Sequence, residues 1–196
     1  MPDTHFTHPR LASIYDDLDP DRSDLDHYAA IIDEFTARSV LDVGCGTGTL
    51  ATTLALRGLG NVAQVFLDDA DWSTALGDIH RTLRPSGHFV FESRDPRRRG
   101  WEEWTPERTR SLTEIAGVGP VEYFVELLDV SLPFVSFRST YRFRLDGSVL
   151  TSDSTLRFRE RDEFEASLES AGFTVTDVRD APDRPGREFV FIARRT

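Results

Sequence analysis

A glycine-rich turn behind a short apolar run is the part of this sequence best suited to chemistry. The turn reads Asp42-Val-Gly44-Cys-Gly46-Thr-Gly48 and overlaps the end of the run Ser39-Val-Leu-Asp-Val43. An apolar helical pattern from Thr49 to Arg57 begins directly after it. Glycines let a backbone approach a ligand closely, and a helix that begins at such a turn directs N–H groups towards it. The alternative is a tight strand-to-helix turn that binds no ligand.

The glycine spacing argues against a dinucleotide-binding loop. That loop needs glycines at positions 44, 46 and 49, but position 49 is Thr and the third glycine comes one residue earlier. It also needs an acid about 20 residues further on to hold a ribose. Asp68 and Asp69 lie near that distance, although their pattern is that of a helix cap. The sequence therefore disfavours a nucleotide-dependent oxidoreductase, which ranks third among the candidate functions.

A second group of candidate residues follows the apolar segment His88–Ser93. Arg94, Trp101 and Trp104 come after this predicted strand, and the carboxyl ends of strands in open α/β sheets are where ligands bind. We predict that these three side chains contact a substrate. Core or lid packing is the alternative for the tryptophans, and a solvated face is the alternative for the arginine run at positions 94 and 97–99.

The elements around these residues predict an α/β fold. Asp68-Asp-Ala-Asp71 caps a helix through Trp72, Leu76, Ile79 and Leu83, and the turn at 84–87 ends it. His88–Ser93 alternates little, which is typical of a strand buried on both faces of a parallel sheet. An earlier helix carries Tyr28, Ile31, Ile32 and Phe35, with Asp24 or Asp26 as its N-cap.

The second half of the chain predicts an antiparallel insertion and a final hairpin. Three strands are expected at 121–129, 135–145 and 148–158, the last two joined by a tight turn at Asp146-Gly147. A helix at 160–170 ends at Gly172, and strands at 173–178 and 188–193 follow. We predict one domain over 1–196, with the insertion at about 116–159.

The glycine turn and its surroundings resemble the class I S-adenosylmethionine-dependent methyltransferases. The family's first motif reads acid-x-Gly-x-Gly-x-Gly, and Val40-Leu-Asp-Val-Gly-Cys-Gly-Thr-Gly-Thr-Leu50 is similar to it. Leu83-Arg-Pro-Ser-Gly-His-Phe-Val-Phe91 resembles the turn and fifth strand of the family, and Gly60-Asn-Val-Ala-Gln-Val-Phe66 resembles the segment after its fourth strand. The resemblance implies a Rossmann-like, mostly parallel sheet.

The same resemblance implies a cofactor and the residues that bind it. S-adenosylmethionine would lie against the glycine turn, with Asp42 near its amino group, and Tyr15 is similar to a family tyrosine that closes over the cofactor. A nearby carboxylate favours a ligand with sulfonium and ammonium charges. The cofactor-binding residues implied are Asp42, Gly44, Cys45, Gly46, Gly48, Tyr15, Asn61 and Gln64. For Tyr15, Asn61 and Gln64, ordinary packing or capping is the alternative.

One block of the family pattern is absent. The second strand with its ribose-binding acid, the third strand and the body of the fourth have no counterpart between Gly58 and Gly60-Asn61. Those elements would need roughly 40 to 50 residues. An internal deletion, a stretch left out between the two segments, or a shortened fold would each explain the gap. We expect the truncated fold to bind the cofactor weakly.

Composition excludes several classes of function. The net charge of −11 would repel phosphate backbones and anionic lipids, so we expect neither nucleic acid nor a membrane as a partner. Cys45 is the only cysteine and no stretch approaches the about 18 apolar residues of a membrane span, which favours a cytoplasmic location. The five histidines are scattered, so no metal site is predicted.

These observations lead to one preferred function and one alternative. The preferred function is methyl transfer from S-adenosylmethionine to an N, O or C atom of a small molecule, driven mainly by positioning. The alternative is a noncatalytic interaction module, or one impaired in cofactor binding, that keeps the glycine turn.

Overall fold

The computed structural model of the protein describes residues 3–18, 24–40 and 62–196. The helices are α1 (Thr4–Thr7), α2 (Pro9–Ala12), α3 (Tyr15–Leu18), α4 (Asp24–Glu34), α5 (Asp69–Thr82), α6 (Pro106–Thr109) and α7 (Arg161–Ser170). The strands are β1 (His88–Arg94), β2 (Ser111–Ile115), β3 (Gly119–Ser131), β4 (Phe134–Phe143), β5 (Val149–Arg157), β6 (Phe173–Asp180) and β7 (Glu188–Arg195). Short 3₁₀ turns occupy Val62–Val65, Pro96–Arg98 and Gly100–Glu103.

The described strands form two antiparallel sheets. The first sheet has the order β1-β7-β6 and the second has the order β2-β3-β4-β5. The expectation of a mostly parallel sheet is therefore wrong for the residues that the structure describes. The reason is that β7 returns from β6 as a hairpin and inserts beside β1, so both of its neighbours run antiparallel to it. The strand expected at Ser39–Val43 and the helix expected from Thr49 lie largely or wholly outside the described residues.

The first sheet is covered on both faces, which explains why β1 lacks apolar alternation. On one face, α5 and α7 bury Trp72, Leu76, Phe164 and Leu168 against the sheet. On the other face, Ile31 of α4 packs with Ala181, Val190 and Ile192. Among the residues that the structure describes, β1 is thus buried by helices on both sides, and its pairing with β7 is antiparallel.

Local sequence signals place α5 and α7 as predicted. The Asp68 side chain accepts a hydrogen bond from the Ala70 N–H at 2.6 Å, as an N-cap does. Gly172 follows α7 with a φ of 85°, a left-handed conformation that suits glycine. Both expected cap residues of α4, Asp24 and Asp26, lie inside the helix, which spans Asp24–Glu34.

The second sheet confirms the antiparallel set and adds a strand. The Asp146-Gly147 turn joins β4 to β5, with Gly147 at a φ of 71°. Strand β2, at Ser111–Ile115, was not predicted. Helices α2 and α3 were not predicted either, and Leu11 and Ile14 from this region pack against Ile115, Val121 and Tyr141 of the sheet.

Candidate functional site

The carboxyl end of β1 holds a cluster of charged side chains. Side chains two residues apart in a strand share a face, so Glu92 and Arg94 lie on the face that α4 covers. Pairing of β1 with β7 sets Arg94 opposite Glu188, which lies on the same face. The β6–β7 loop adds Arg184, whose Nη1 donates to Glu188 Oε1 at 2.8 Å. We name Glu92, Arg94, Arg184 and Glu188 the strand-end cluster.

Arg94 connects this cluster to Gln64. Its Nη1 donates to Gln64 Oε1 at 3.0 Å, and its Nε lies 3.6 Å from Glu188 Oε1. A guanidinium has donors and no acceptor, so the amide oxygen of Gln64 must face Arg94 and its Nε2 must point elsewhere. Gln64 is fully buried, and its Nε2 has no hydrogen-bond partner among the described residues. A buried amide N–H₂ of this kind is suited to donate to a ligand oxygen.

Glu92 has the most perturbed carboxyl group of the cluster. Its residue is 2% exposed, and burial together with the nearby Glu188 carboxylate raises its pKa from 4.5 to about 7. Arg184 and the Tyr28 hydroxyl of α4 oppose this rise in pKa. Near neutral pH, Glu92 therefore exchanges a proton easily, which is the property of an acid–base group.

The two tryptophans occupy different positions relative to the cluster. The guanidinium carbon of Arg94 lies 5.8 Å from the Trp104 ring centroid, so Trp104 borders the cluster. Trp101 is 2% exposed and packs edge-on against Phe158 at 4.7 Å. It belongs to a hydrophobic core with Val135 and Phe158. Its environment is that of a packing residue that supports the wall behind Trp104.

The rest of the arginine run is engaged in ion pairs on the surface. Arg97 donates from its Nε and Nη2 to the Asp95 carboxylate at 2.9 Å, and Arg99 lies 2.7 Å from Glu102. Burial would raise the pKa of Asp95, but the hydrogen bonds from Arg97 lower it. Arg97 and Arg98 are both mostly exposed. Within this run, Arg94 alone reaches the strand-end cluster.

Two solved structures resemble this protein along nearly the whole chain. An S-adenosylmethionine-dependent methyltransferase from Clostridium acetobutylicum ATCC 824 has a TM-score of 0.67 at 14% identity, covering 96% of this chain and 98% of that one. CalS10, an amino pentose methyltransferase from Micromonospora echinaspora with S-adenosylmethionine bound, has a TM-score of 0.63 at 20% identity, covering 94% and 95%. The protein has an S-adenosylmethionine-dependent methyltransferase fold. The resemblance seen in the sequence is confirmed at this level.

A third structure shares part of this methyltransferase fold. CcbJ from Streptomyces caelestis has a TM-score of 0.51 at 17% identity, and the match covers 69% of this chain and 54% of CcbJ. Scanning the sequence against protein-family models gives no match, and searching the curated proteins gives none. Comparison of structures thus detects a similarity that neither of these two sequence searches detects.

Most of the cofactor-binding residues implied by the sequence lie outside the described part of this methyltransferase fold. They are Asp42, Gly44, Cys45, Gly46, Gly48 and Asn61. Gln64 lies inside it, in contact with Arg94. Tyr15 lies at the N-terminal helices, where its ring is 5.1 Å from His5 and 5.9 Å from Phe6. The structure thus brings together Gln64, Arg94 and Trp104.

Sequence reasoning missed four members of the polar site. Glu92, Glu188, Arg184 and Tyr28 were not among the predicted residues, although they surround Arg94 or each other. Glu92, which directly follows the apolar run Phe89–Phe91, was a usable signal, since buried carboxylates are rare without a partner. In the described ranges, no group of three or more His, Cys, Asp or Glu is arranged to hold a metal ion. Nor is any described helix long and apolar enough to cross a membrane.

Proposed function

We propose that this protein transfers a methyl group from S-adenosylmethionine to a small-molecule acceptor. The observation that carries the proposal is the polar cluster at the carboxyl end of β1 in a chain with a methyltransferase fold. Ligands of open α/β sheets bind at this edge. CalS10, which shares the fold at a TM-score of 0.63, is an amino pentose methyltransferase.

The cofactor is assigned to the glycine turn and the residues beside it. We assign the cofactor pocket to the residues that the sequence resemblance implies, which are Asp42, Gly44, Cys45, Gly46, Gly48, Tyr15, Asn61 and Gln64. The buried Nε2 of Gln64, which has no hydrogen-bond partner in the part of the chain that the structure describes, fits a ligand that is rich in acceptor oxygens, as S-adenosylmethionine is. When bound, this cofactor supplies an electrophilic methyl group on a sulfonium sulfur.

The acceptor is assigned to the side of the pocket that Arg94 and Trp104 form. Arg94 fixes the orientation of the Gln64 amide and lies beside the Trp104 ring, so it links the cofactor side to the acceptor side. Trp101 supports this wall from the core. These residues orient the acceptor atom and exclude water, which is the main contribution that a methyl transfer requires of a protein.

Calorimetric titration with S-adenosylmethionine and S-adenosylhomocysteine tests the proposal. We expect micromolar binding by the wild-type chain and loss of binding by Gly46→Val, because the valine side chain would occupy space that the ligand needs. Gly77→Val is the matched control: a Cβ at Gly77 of α5 meets no atom closer than 3.6 Å. A folded wild-type chain that binds neither compound contradicts the proposal and favours a noncatalytic interaction module.

A further inference from the structure

The first helix of the chain has no apolar anchor of its own. α1 is a single turn at Thr4–Thr7, and none of its residues is buried. Helix nucleation is costly, so an isolated helix shorter than about 12 residues is marginal in water. The position of α1 therefore depends on its contacts with the rest of the chain.

Hydrogen bonds to the second sheet supply these contacts. The backbone N–H of His5 donates to Ser152 Oγ of β5 at 2.9 Å, and the Nδ1 of His5 is hydrogen-bonded to the Tyr141 hydroxyl of β4. Directly before the helix, the Asp3 carboxylate accepts a hydrogen bond from the Ser154 hydroxyl of β5 at 2.5 Å. His5 thus connects α1 to two neighbouring strands of the sheet.

The side-chain bond of His5 joins two neutral groups. Tyr141 is 1% exposed, and burial raises the pKa of its hydroxyl. Burial also lowers the pKa of His5, although the Asp3 carboxylate opposes this effect. Near neutral pH the imidazole is therefore uncharged and the hydroxyl keeps its proton, so the bond between them persists.

The ring of His5 also contacts Tyr15. Their ring centroids lie 5.1 Å apart in an edge-on arrangement, and the Phe6 ring of α1 lies 5.9 Å from that of Tyr15. These separations are in the range of favourable aromatic pairs. Tyr15 begins α3, which is as short as α1. The rings of α1 therefore help to fix the orientation of the Tyr15 ring.

His5 lies on the face of the second sheet that also supports Trp104. Side chains four residues apart in a strand share a face and are separated by about 13 Å, as Phe137 and Tyr141 of β4 are. Trp104 contacts Phe137 edge-on at 4.8 Å, and His5 is bonded to Tyr141. Tyr15, beside His5, is thus on the same side of this sheet as the proposed acceptor residues.

We propose that His5 is a positioning residue that holds Tyr15 in the orientation in which it closes over S-adenosylmethionine. This inference rests on the proposed function, in which Tyr15 borders the cofactor. The second sheet fixes His5 through Tyr141, and His5 fixes the ring of Tyr15. Cofactor affinity therefore depends on a hydrogen bond to a strand that supports the acceptor side.

Calorimetric titration of the full-length chain with S-adenosylmethionine tests this role. His5→Ala should raise the Kd by about 3- to 10-fold, because an ordinary hydrogen bond is lost. Tyr15→Ala should also raise the Kd. In the double variant, the change at His5 should add less than about 2-fold, since His5 acts through Tyr15. Losses that multiply in the double variant overturn the inference.

Three further variants separate positioning from folding. Tyr141→Phe keeps the ring and removes only the hydroxyl, so it should raise the Kd even if His5→Ala does not fold. His5→Asn can still bond to the Tyr141 hydroxyl and should bind more tightly than His5→Ala. His8→Asn is the matched control: His8 caps α2 by accepting from the Arg10 N–H at 3.2 Å, which asparagine also does, so its Kd should equal that of wild type.

The outcomes distinguish this inference from the proposed function. Wild-type affinity in both His5→Ala and Tyr141→Phe overturns the positioning role and leaves cofactor binding intact. A folded wild-type chain that binds neither S-adenosylmethionine nor S-adenosylhomocysteine refutes the proposed function, and the inference falls with it.

Discussion

A buried acid with a raised pKa also has a consequence for stability. Glu92 titrates at about 7 in the folded chain, against 4.5 for an ordinary glutamate. The folded state therefore binds more protons than the unfolded state between these values. The contribution of Glu92 to stability therefore falls as the pH rises from 4.5 to about 7, and this loss persists above that range.

Glu92→Gln should remove this loss because glutamine does not ionise. A shift of this size corresponds to about 3 kcal/mol of unfolding free energy. Relative to wild type, we expect the variant to gain up to about 3 kcal/mol between pH 5 and pH 8. Urea unfolding of both proteins at the two pH values measures this change, with Glu114→Gln as a control that should follow wild type. Parallel pH dependence in wild type and Glu92→Gln would contradict the raised pKa.

Among the helices and strands, those with strong local signals were predicted and those set by distant partners were not. The cap at Asp68, the turn at Asp146-Gly147 and the helix end at Gly172 depend on neighbouring residues, and the structure has all three. Strand β2 forms because it pairs with β3, and its short sequence has no strong signal of its own.

The residues of the candidate site show the same difference between local signals and distant partners. Arg94 and Trp104 were predicted from their place after a strand. Glu188 was missed because the β6–β7 hairpin, far along the chain, brings it opposite Arg94. Tyr28 was expected only as part of an amphipathic helix, since its contact with Glu92 depends on how α4 lies on the sheet.

Two glycines, one after the end of α7 and one inside α5, should affect stability in opposite directions when they are replaced by alanine. Gly172 has a φ of 85°, and a Cβ there would lie 2.9 Å from His80 Nε2. Gly172→Ala should lower the free energy of unfolding by about 1–2 kcal/mol. Gly77 lies inside α5 with space for a Cβ, so Gly77→Ala should raise it by up to about 1 kcal/mol. Equal stabilities for the two variants in urea unfolding would show that the left-handed conformation at Gly172 is not required.

At the scale of the molecule, two sheets and their covering helices converge near the strand-end cluster. The first sheet supplies Glu92, Arg94 and Glu188, whereas the second sheet supports Trp104 through an edge-on contact with Phe137 at 4.8 Å. The proposed acceptor side therefore depends on both sheets. The proposed cofactor side is assigned to the glycine turn, which lies outside the described residues.

The block of the family pattern that we expect to be missing after Gly58 leads to a prediction about cofactor affinity. Its second strand normally ends in an acid that holds the ribose hydroxyls, and a hydrogen bond to a charged group contributes about 1.5–3 kcal/mol. Losing even one such bond weakens binding about tenfold or more. In parallel calorimetric titrations with S-adenosylmethionine, we expect the Kd of this chain to exceed that of CalS10 by at least this factor. Equal Kd values would mean that another residue of this chain binds the ribose, and that the gap leaves the pocket functionally complete.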